Sequence, residues 1–167
     1  MSVTRVNWLQ TEPSKIEAMK KKSTIHEVKI AYTRPVITEM HQVKSSADAA
    51  KLFREFANGR SLDYKEYFFV MLLSRNNRVL GISEISVGST TATAINVKEV
   101  FQLVLKSNAC NIVLCHNHPS GNLQPSEQDK AVTKRIALFA DLLDVSVLDH
   151  LILTTEGYLS MADEGFM

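Results

Sequence analysis

The stretch between Asn111 and Leu143 constrains the fold of this chain more than any other. Residues 111–115 form a short apolar run typical of a buried strand, and Pro119 and Gly121 then end that strand and turn the chain. An amphipathic helix is predicted from about Ser126 onward, because apolar residues recur there with the helical period. Its apolar positions are Val132, Ile136, Phe139 or Ala140, and Leu143. A strand that passes through a short turn into a long helix predicts an α/β unit.

Strands and helices alternate through the rest of the chain without internal repeats. One helix is predicted to begin near Ser45 and to end at Asn58-Gly59, and a second begins at Asn96, with Glu99 three residues later. Asn76-Asn77 predicts a hairpin turn, because asparagine tolerates a positive φ. The further predicted strands are Glu27–Tyr32, Tyr67–Leu73, Val79–Ser86, Val145–Leu153 and Tyr158–Ser160. Together these elements predict one α/β domain around a mixed sheet.

The composition is that of an ordinary globular domain. The chain has 167 residues, of which 45% are hydrophobic, so it can bury a substantial core. Charged residues make up 22% and the formal net charge is +1, which gives no support for a nucleic-acid partner. Cys110 and Cys115 are too few for a disulfide scaffold and do not form a CxxC pair, which indicates reduced thiols.

The sequence carries no pattern typical of membrane insertion or export. The apolar run Tyr67–Leu73 is far shorter than the roughly 20 residues that span a bilayer. The first residues, MSVTRVNWLQTEPSK, lack an apolar core followed by a small-residue cleavage site. We therefore expect a cytoplasmic protein with no membrane partner. No pattern indicates the oligomeric state.

Residues 1–25 differ in character from the rest of the chain. They are polar, lack a clear period and include the basic run Lys20-Lys21-Lys22. We expect a flexible N-terminal arm over 1–25 and a single domain over 26–167. The alternative for the basic run is a contact surface for DNA or for another protein chain.

Two histidines and one aspartate around the predicted strand-to-helix turn are candidate metal ligands. His116 and His118 are two residues apart, so an extended backbone presents both imidazoles on the same side. Asp129 falls in the first turn of the following helix, where the helix dipole also favours a carboxylate. Two imidazoles and one carboxylate match the three protein ligands of a catalytic zinc site and leave a fourth position for water.

The charge and chemistry of this set are consistent with a zinc hydrolase. Zinc at +2 with one aspartate leaves +1, which a bound hydroxide would neutralise. Such an ion lowers the pKa of its bound water toward about 7 and so makes a nucleophile near neutral pH. The competing interpretation is structural: His-x-His pairs occur by chance, and Ser126 with Asp129 fits a helix cap of the S-x-x-D kind. The joint spacing favours the metal site.

The same residues resemble a known signature. His116-x-His118 followed by ten residues and Asp129, with Ser126 three before the aspartate, resembles the JAMM metallopeptidase motif. The sequence His-Asn-His-Pro-Ser-Gly followed by Pro-Ser-x-x-Asp resembles the RadC branch of this motif. Similar features extend over most of residues 60–163, including Val87-Gly88-Ser89-Thr90 and Leu148-Asp149-His150-Leu151-Ile152.

This resemblance implies a JAB/MPN-type fold, related to cytidine deaminases, in which helices flank a mixed sheet in three layers. It implies a Zn²⁺-dependent peptidase or isopeptidase that acts on a protein or peptide through a zinc-bound water. It also implies an upstream glutamate that serves as general base and acid. Glu66, just before the apolar strand, is the favoured candidate, and Glu84 on the next strand is the competitor.

Several residues near the motif keep two interpretations. Ser126 caps the helix, and in the family the matching serine helps to stabilise the oxyanion of the tetrahedral intermediate. Asp149 and His150 are polar residues in an apolar strand, and they either orient a metal ligand or form a satisfied core pair. Cys115 is expected to face away from the histidines, into the core.

Other function classes fit the sequence less well. A zinc deaminase would require His-x-Glu and a later Pro-Cys-x-x-Cys, and a two-metal nuclease would require more carboxylates near the histidines. The remaining alternative is a non-catalytic zinc-containing module or a DNA-repair-associated accessory protein. Longer RadC proteins carry a helix-hairpin-helix region, which the first 40 residues are too short to supply. A DNA role therefore has no supporting residue in this sequence.

Overall fold

The computed structural model describes residues 31–88 and 95–167. The expected N-terminal arm, most of the predicted strand Glu27–Tyr32 and residues 89–94 lie outside these ranges. Tyr32, at the end of that predicted strand, has no regular structure and donates a hydrogen bond from its hydroxyl to the carbonyl of Leu80, at 2.7 Å. Residues 31–167 form one unit by their internal contacts.

A five-stranded mixed sheet lies at the centre of the described residues, in the order β2-β1-β3-β4-β5. β3 and β4 are parallel and the other neighbouring pairs are antiparallel, which confirms the predicted mixed sheet. The strands are β1 (Glu66–Leu73), β2 (Val79–Gly88), β3 (Asn111–Asn117), β4 (Ser146–Leu153) and β5 (Tyr158–Ser160). The helices are α1 (Ser46–Phe56), α2 (Val97–Ser107) and α3 (Glu127–Asp141), besides a short 3-10 turn at Ile37–Glu39.

Each helix begins where the sequence places a capping side chain. Ser45 accepts a hydrogen bond from the backbone N–H of the third residue of α1, and Asn96 does the same for α2. Ser126 and Asp129 form a reciprocal capping box at the start of α3. These predicted helix starts are confirmed, and α3 ends at Asp141, two residues before the predicted Leu143.

The alternation of side chains along β1 divides the core into two halves. Phe68, Val70 and Leu72 pack with residues of α2 and α3. Phe69, Met71 and Leu73 point the other way, toward α1. The domain therefore has three layers, with α1 on one face of the sheet and α2 and α3 on the other. We refer to these as the α1 face and the α3 face. The predicted α/β fold is confirmed.

Candidate metal centre

His116 and His118 lie where β3 ends, in the middle of the sheet. β3 continues to Asn117, two residues beyond the predicted end, so His116 pairs with Phe68 of β1 on one side and Ile152 of β4 on the other. His118 is anchored as well, because its backbone N–H donates to the carbonyl of Leu153 at 2.9 Å. The flanking strands thus fix the backbone that carries both imidazoles.

The structure brings the three predicted ligands together on the α3 face. The Nε2 atoms of His116 and His118 are 2.9 Å apart. Asp129 places Oδ1 at 3.2 Å from Nε2 of His116 and Oδ2 at 3.6 Å from Nε2 of His118. Donor atoms in a tetrahedral zinc site lie roughly 3.3 Å apart, as follows from bonds of about 2.0–2.1 Å. The spacing of these atoms therefore fits a metal ion.

The hydrogen bonds behind the two imidazoles determine which nitrogen of each faces the cluster with a lone pair. Nδ1 of His118 lies 2.6 Å from the carbonyl oxygen of Asn122, which only accepts, so Nδ1 carries the proton. Nδ1 of His116 lies 2.8 Å from Nε2 of His150 and is likewise the donor. Two unprotonated Nε2 atoms then point at each other across 2.9 Å beside a carboxylate. Lone pairs in this arrangement repel unless a cation lies between them, so His116, His118 and Asp129 can hold a metal ion.

Asp129 is oriented by the capping box at the start of α3. Its Oδ2 accepts from the backbone N–H of Ser126 at 2.7 Å and from the Ser126 hydroxyl at 2.6 Å. The Oδ1 atom is left to face His116. The helix cap and the ligand position are therefore compatible, because one carboxylate completes the capping box and also faces the cluster.

The electrostatics of the cluster favour a cation among these atoms. Partial burial tends to raise the pKa of Asp129, but its interactions with the imidazoles of His116 and His118 outweigh this effect and hold the pKa far below its ordinary value. The carboxylate of Asp129 raises the pKa of His118, and the charge of Glu66 adds to this. A proton that binds Nε2 of His118 thus competes with a metal ion for the same position.

Glu66 and Glu84 lie on different sides of the sheet. Glu66 lines an open cleft of about 390 Å³ together with His118 and Ser126. Glu84 pairs with Phe69 on the α1 face, and its carboxylate binds Arg60 at 2.8 Å. A β-bulge between the β1 residues Phe68 and Phe69 shifts the register of β2 at this point. Of the two predicted candidates for the general base, Glu66 is therefore the one that shares a cleft with a metal ligand, His118.

The sequence pattern did not indicate the role of Asn117, which lies between the two histidines and points to the α1 face. Its Oδ1 accepts from the backbone N–H of Tyr67 at 2.8 Å. Its amide donates to the carbonyls of Leu62 and Lys65, at 2.6 and 2.8 Å. These bonds fix the backbone on both sides of Glu66. An asparagine inside a buried strand was the available signal, because a buried amide needs hydrogen-bond partners.

The side chains of Asp149 and His150 point to opposite faces of the sheet. His150 points to the α3 face, where its Nε2 contacts Nδ1 of His116. Asp149 points to the α1 face and accepts from the hydroxyl of Ser160 at 2.6 Å and the backbone N–H of Ala162 at 3.1 Å. His150 thus contacts a metal ligand and Asp149 belongs to a satisfied structural pair.

Sulfur plays no part in this cluster. Cys115 is fully buried among the apolar residues of the α1 face, as predicted from strand alternation. Burial raises the pKa of its thiol well above the ordinary value, which keeps it protonated. The candidate ligands are therefore nitrogen and oxygen atoms.

The sequence matches a known domain over most of its length. A family profile described as the RadC-like JAB domain matches residues 43–166. The chain therefore belongs to the RadC-like JAB domain family, as its motif suggested. It is similar to a UPF0758 protein of Flavobacterium johnsoniae, with 40% identity over 129 residues, which cover 77% of this chain and 55% of the relative.

Other relatives have comparable similarity. A UPF0758 protein of Rubrobacter xylanophilus is 40% identical over 135 residues, covering 80% of this chain and 55% of the relative. One of Chlorobaculum parvum is 38% identical over 114 residues, covering 68% and 51%. The chain thus spans about half the length of the curated relatives it matches, and their names state no activity.

Over residues 31–88 and 95–167, no helix has the length and apolar character that crossing a bilayer requires.

Proposed function

We propose that this protein is a zinc-dependent hydrolase that cleaves a peptide or isopeptide bond in a protein or peptide of the cytoplasm. The observation that carries the proposal is the convergence of two unprotonated imidazole nitrogens and one carboxylate at the wall of an open cleft. The carboxylate of Glu66 faces the same cleft. Membership of the RadC-like JAB domain family gives independent support, because that family includes metallohydrolases.

The openness of the site supports a catalytic role over a purely structural one. Structural zinc sites are closed by four protein ligands, whereas catalytic sites have three and leave one position open. Among the described residues, the cluster offers three ligands. The His116 side chain is 2% exposed, but those of His118 and Asp129 are 17% and 13% exposed toward solvent. A substrate in the cleft could therefore reach the metal position directly.

Glu66 is the residue we propose to move protons. When bound, zinc supplies Lewis acidity, which polarises a carbonyl group and makes water a nucleophile near neutral pH. The Glu66 carboxylate would accept the proton that the attacking water loses and donate it to the departing amine nitrogen. The backbone around Glu66 is fixed by Asn117, which supports a constant position for this carboxylate.

Ser126 is proposed to contribute at the oxyanion. Its hydroxyl donates to Asp129 at 2.6 Å, and its backbone N–H donates to the same oxygen at 2.7 Å. If the hydroxyl turned toward the cleft, the backbone N–H would still hold Asp129 in place. Ser126 lines the cleft, so its hydroxyl could donate a hydrogen bond to the developing negative charge.

The test is peptide hydrolysis by zinc-loaded protein. A proteome-derived peptide library, supplemented with lysine-isopeptide-linked peptides, is incubated with enzyme in heavy-oxygen water. New carboxyl ends that carry the heavy oxygen are identified by mass spectrometry. We expect wild type and Glu84→Gln to cleave the same bonds. Glu66→Gln should bind zinc normally and cleave about 10²- to 10⁴-fold more slowly, the usual contribution of a general base.

The two glutamate variants distinguish a misassigned general base from a protein that is not a hydrolase. Full activity in Glu66→Gln together with loss in Glu84→Gln would show that the base is misassigned. Absence of any cleavage by fully zinc-loaded wild type would contradict the hydrolase and favour the non-catalytic zinc module.

A further inference from the structure

We propose that His150 and Thr133 form a positioning pair that fixes the tautomer of His116 and ties it to the helix that carries Asp129. The inference rests on the proposed metal site and deepens it. Neither residue touches the cleft; both act through the ligands. The pair selects which nitrogen of His116 is presented to the metal.

A continuous chain of hydrogen bonds connects two of the three ligands. Nδ1 of His116 lies 2.8 Å from Nε2 of His150, and Nδ1 of His150 lies 2.5 Å from Oγ1 of Thr133. The Thr133 hydroxyl lies 2.6 Å from the backbone carbonyl of Asp129. The chain therefore begins at a ligand on β3, passes through β4 and ends on the first turn of α3.

The backbone carbonyl of Asp129, at the end of this chain, determines the donor and the acceptor of every hydrogen bond in it. A backbone carbonyl only accepts, so the Thr133 hydroxyl donates to Asp129 and accepts from Nδ1–H of His150. A neutral His150 then has a lone pair on Nε2, which accepts from Nδ1–H of His116. His116 is left with its lone pair on Nε2, the atom that faces His118 and Asp129.

The surroundings of His150 favour a neutral imidazole. The residue is fully buried, and its ring packs against that of Phe68 in a T-shaped arrangement with ring centroids 5.5 Å apart. Among the described residues, the ring hydrogen-bonds to His116 and Thr133 and to no carboxylate, and a buried imidazolium without a carboxylate partner is unfavourable, so the imidazole is neutral. Phe68 also stacks on His116, with ring centroids 6.4 Å apart. The aromatic wall offers neither imidazole a competing acceptor.

Asp149 provides a matched control within the same strand. It is the neighbour of His150 and is also buried, but its side chain points to the α1 face, where it accepts from Ser160 and from the backbone N–H groups of His150 and Ala162; Asp149→Asn keeps the Oδ1 acceptor for both N–H groups. A substitution there should weaken the fold without altering the tautomer of His116. General destabilisation can thus be separated from loss of the hydrogen-bond chain.

The experiment compares Thr133→Val, Thr133→Ser and Asp149→Asn with wild type. Valine has the shape of threonine without the hydroxyl, and serine restores the hydroxyl. Zinc affinity is measured by competition with a chromophoric chelator, and imidazole tautomers are read from nitrogen NMR of the zinc-free protein. We expect Thr133→Val to bind zinc about 10- to 100-fold more weakly, the usual effect of losing a group that orients a ligand. Thr133→Ser should bind like wild type.

The NMR measurement distinguishes this proposal from the proposed function. In zinc-free wild type, His116 should be protonated on Nδ1, and Thr133→Val should give a mixture of tautomers. If that holds but wild type binds no zinc, the hydrogen-bond chain stands and the metal site is wrong. Equal zinc affinity in Thr133→Val and Thr133→Ser, with unchanged tautomers, would overturn the chain. So would an equal loss of affinity in Asp149→Asn and Thr133→Val.

Discussion

Both faces of the sheet bury polar side chains, but among residues 31–88 and 95–167 only the α3 face leaves imidazole acceptor atoms without a protein donor. On the α1 face, Asn117 and Asp149 each satisfy both of their side-chain polar atoms with protein partners. On the α3 face, His116 and His118 turn unprotonated Nε2 atoms toward each other and toward Asp129. Burial of a polar group alone therefore does not indicate function. The convergence of lone pairs does.

The largest difference between the faces should appear when one aspartate is replaced on each. Asp129→Asn removes the only charged ligand of the cluster, so we expect loss of stoichiometric zinc, a larger effect than the roughly 10- to 100-fold caused by losing a supporting group. Asp149→Asn should retain zinc, because asparagine keeps the Oδ1 acceptor for the backbone N–H groups of His150 and Ala162, and the lost bond is the one to Ser160 on the α1 face. Metal analysis of both proteins, purified without chelators, measures the difference.

Either variant can contradict this expected difference in zinc content. Zinc retained at one equivalent in Asp129→Asn would remove that residue from the ligand set. Zinc lost in a folded Asp149→Asn would show that the two faces are not independent.

The sequence predicted most of the fold and all three candidate ligands, because those features are local. The capping residues Ser45, Asn96 and Ser126 mark helix starts within a few residues of sequence, and His116 and His118 are related by strand alternation. The limits of prediction concern contacts between elements that lie far apart in sequence.

Two features of the site depend on such distant contacts, namely the support of His116 and the position of the general base. Thr133 and His150 are 17 residues apart, and no sequence period indicates their contact. The choice between Glu66 and Glu84 depended on which face each occupies, and the bulge in the β1–β2 ladder affects that register. A bulge of one residue changes the direction of side chains and has no clear signal in the sequence.

An intermediate effect is expected on the stability of the α1 face. Asn117→Ala removes three hydrogen bonds to the backbone at Leu62, Lys65 and Tyr67. Buried groups left unpaired cost about 1–3 kcal/mol each, so we expect the free energy of unfolding of the zinc-free protein to fall by about 3 kcal/mol. Urea denaturation measures it.

Asn111→Ala is the matched control, since this asparagine is at the other end of β3. Its amide bonds with Ser74 and Asn77 are only partly buried, so a loss of about 1 kcal/mol is expected. An equal loss in the two variants would contradict the special role assigned to Asn117.

The smallest effect concerns pH. The pKa of His118 is raised in the folded, zinc-free protein, so its contribution to stability is present below the unfolded pKa of about 6.5 and is lost as pH rises through the folded value. The pKa of Asp129 is lowered, so its contribution is present above about 3.9 and is lost only in acid. Zinc-free protein should therefore become less stable as the pH rises above about 6.5 and passes through the folded pKa of His118.

Zinc should reverse this trend, because it binds the deprotonated imidazole. Urea denaturation with and without zinc across the same range measures both slopes. A zinc-free protein whose stability does not change with pH there, or a zinc-loaded protein that loses stability in the same way, would contradict the raised pKa of His118.

X-ray absorption at the zinc edge of the zinc-loaded wild-type protein identifies the ligands of the proposed metal centre. We expect one zinc per chain, bound by nitrogen and oxygen atoms at about 2.0–2.1 Å, with the scattering pattern of two imidazoles. A sulfur ligand at about 2.3 Å would contradict it, because Cys115 is buried on the opposite face. Failure to retain zinc in chelator-free buffer would contradict it equally.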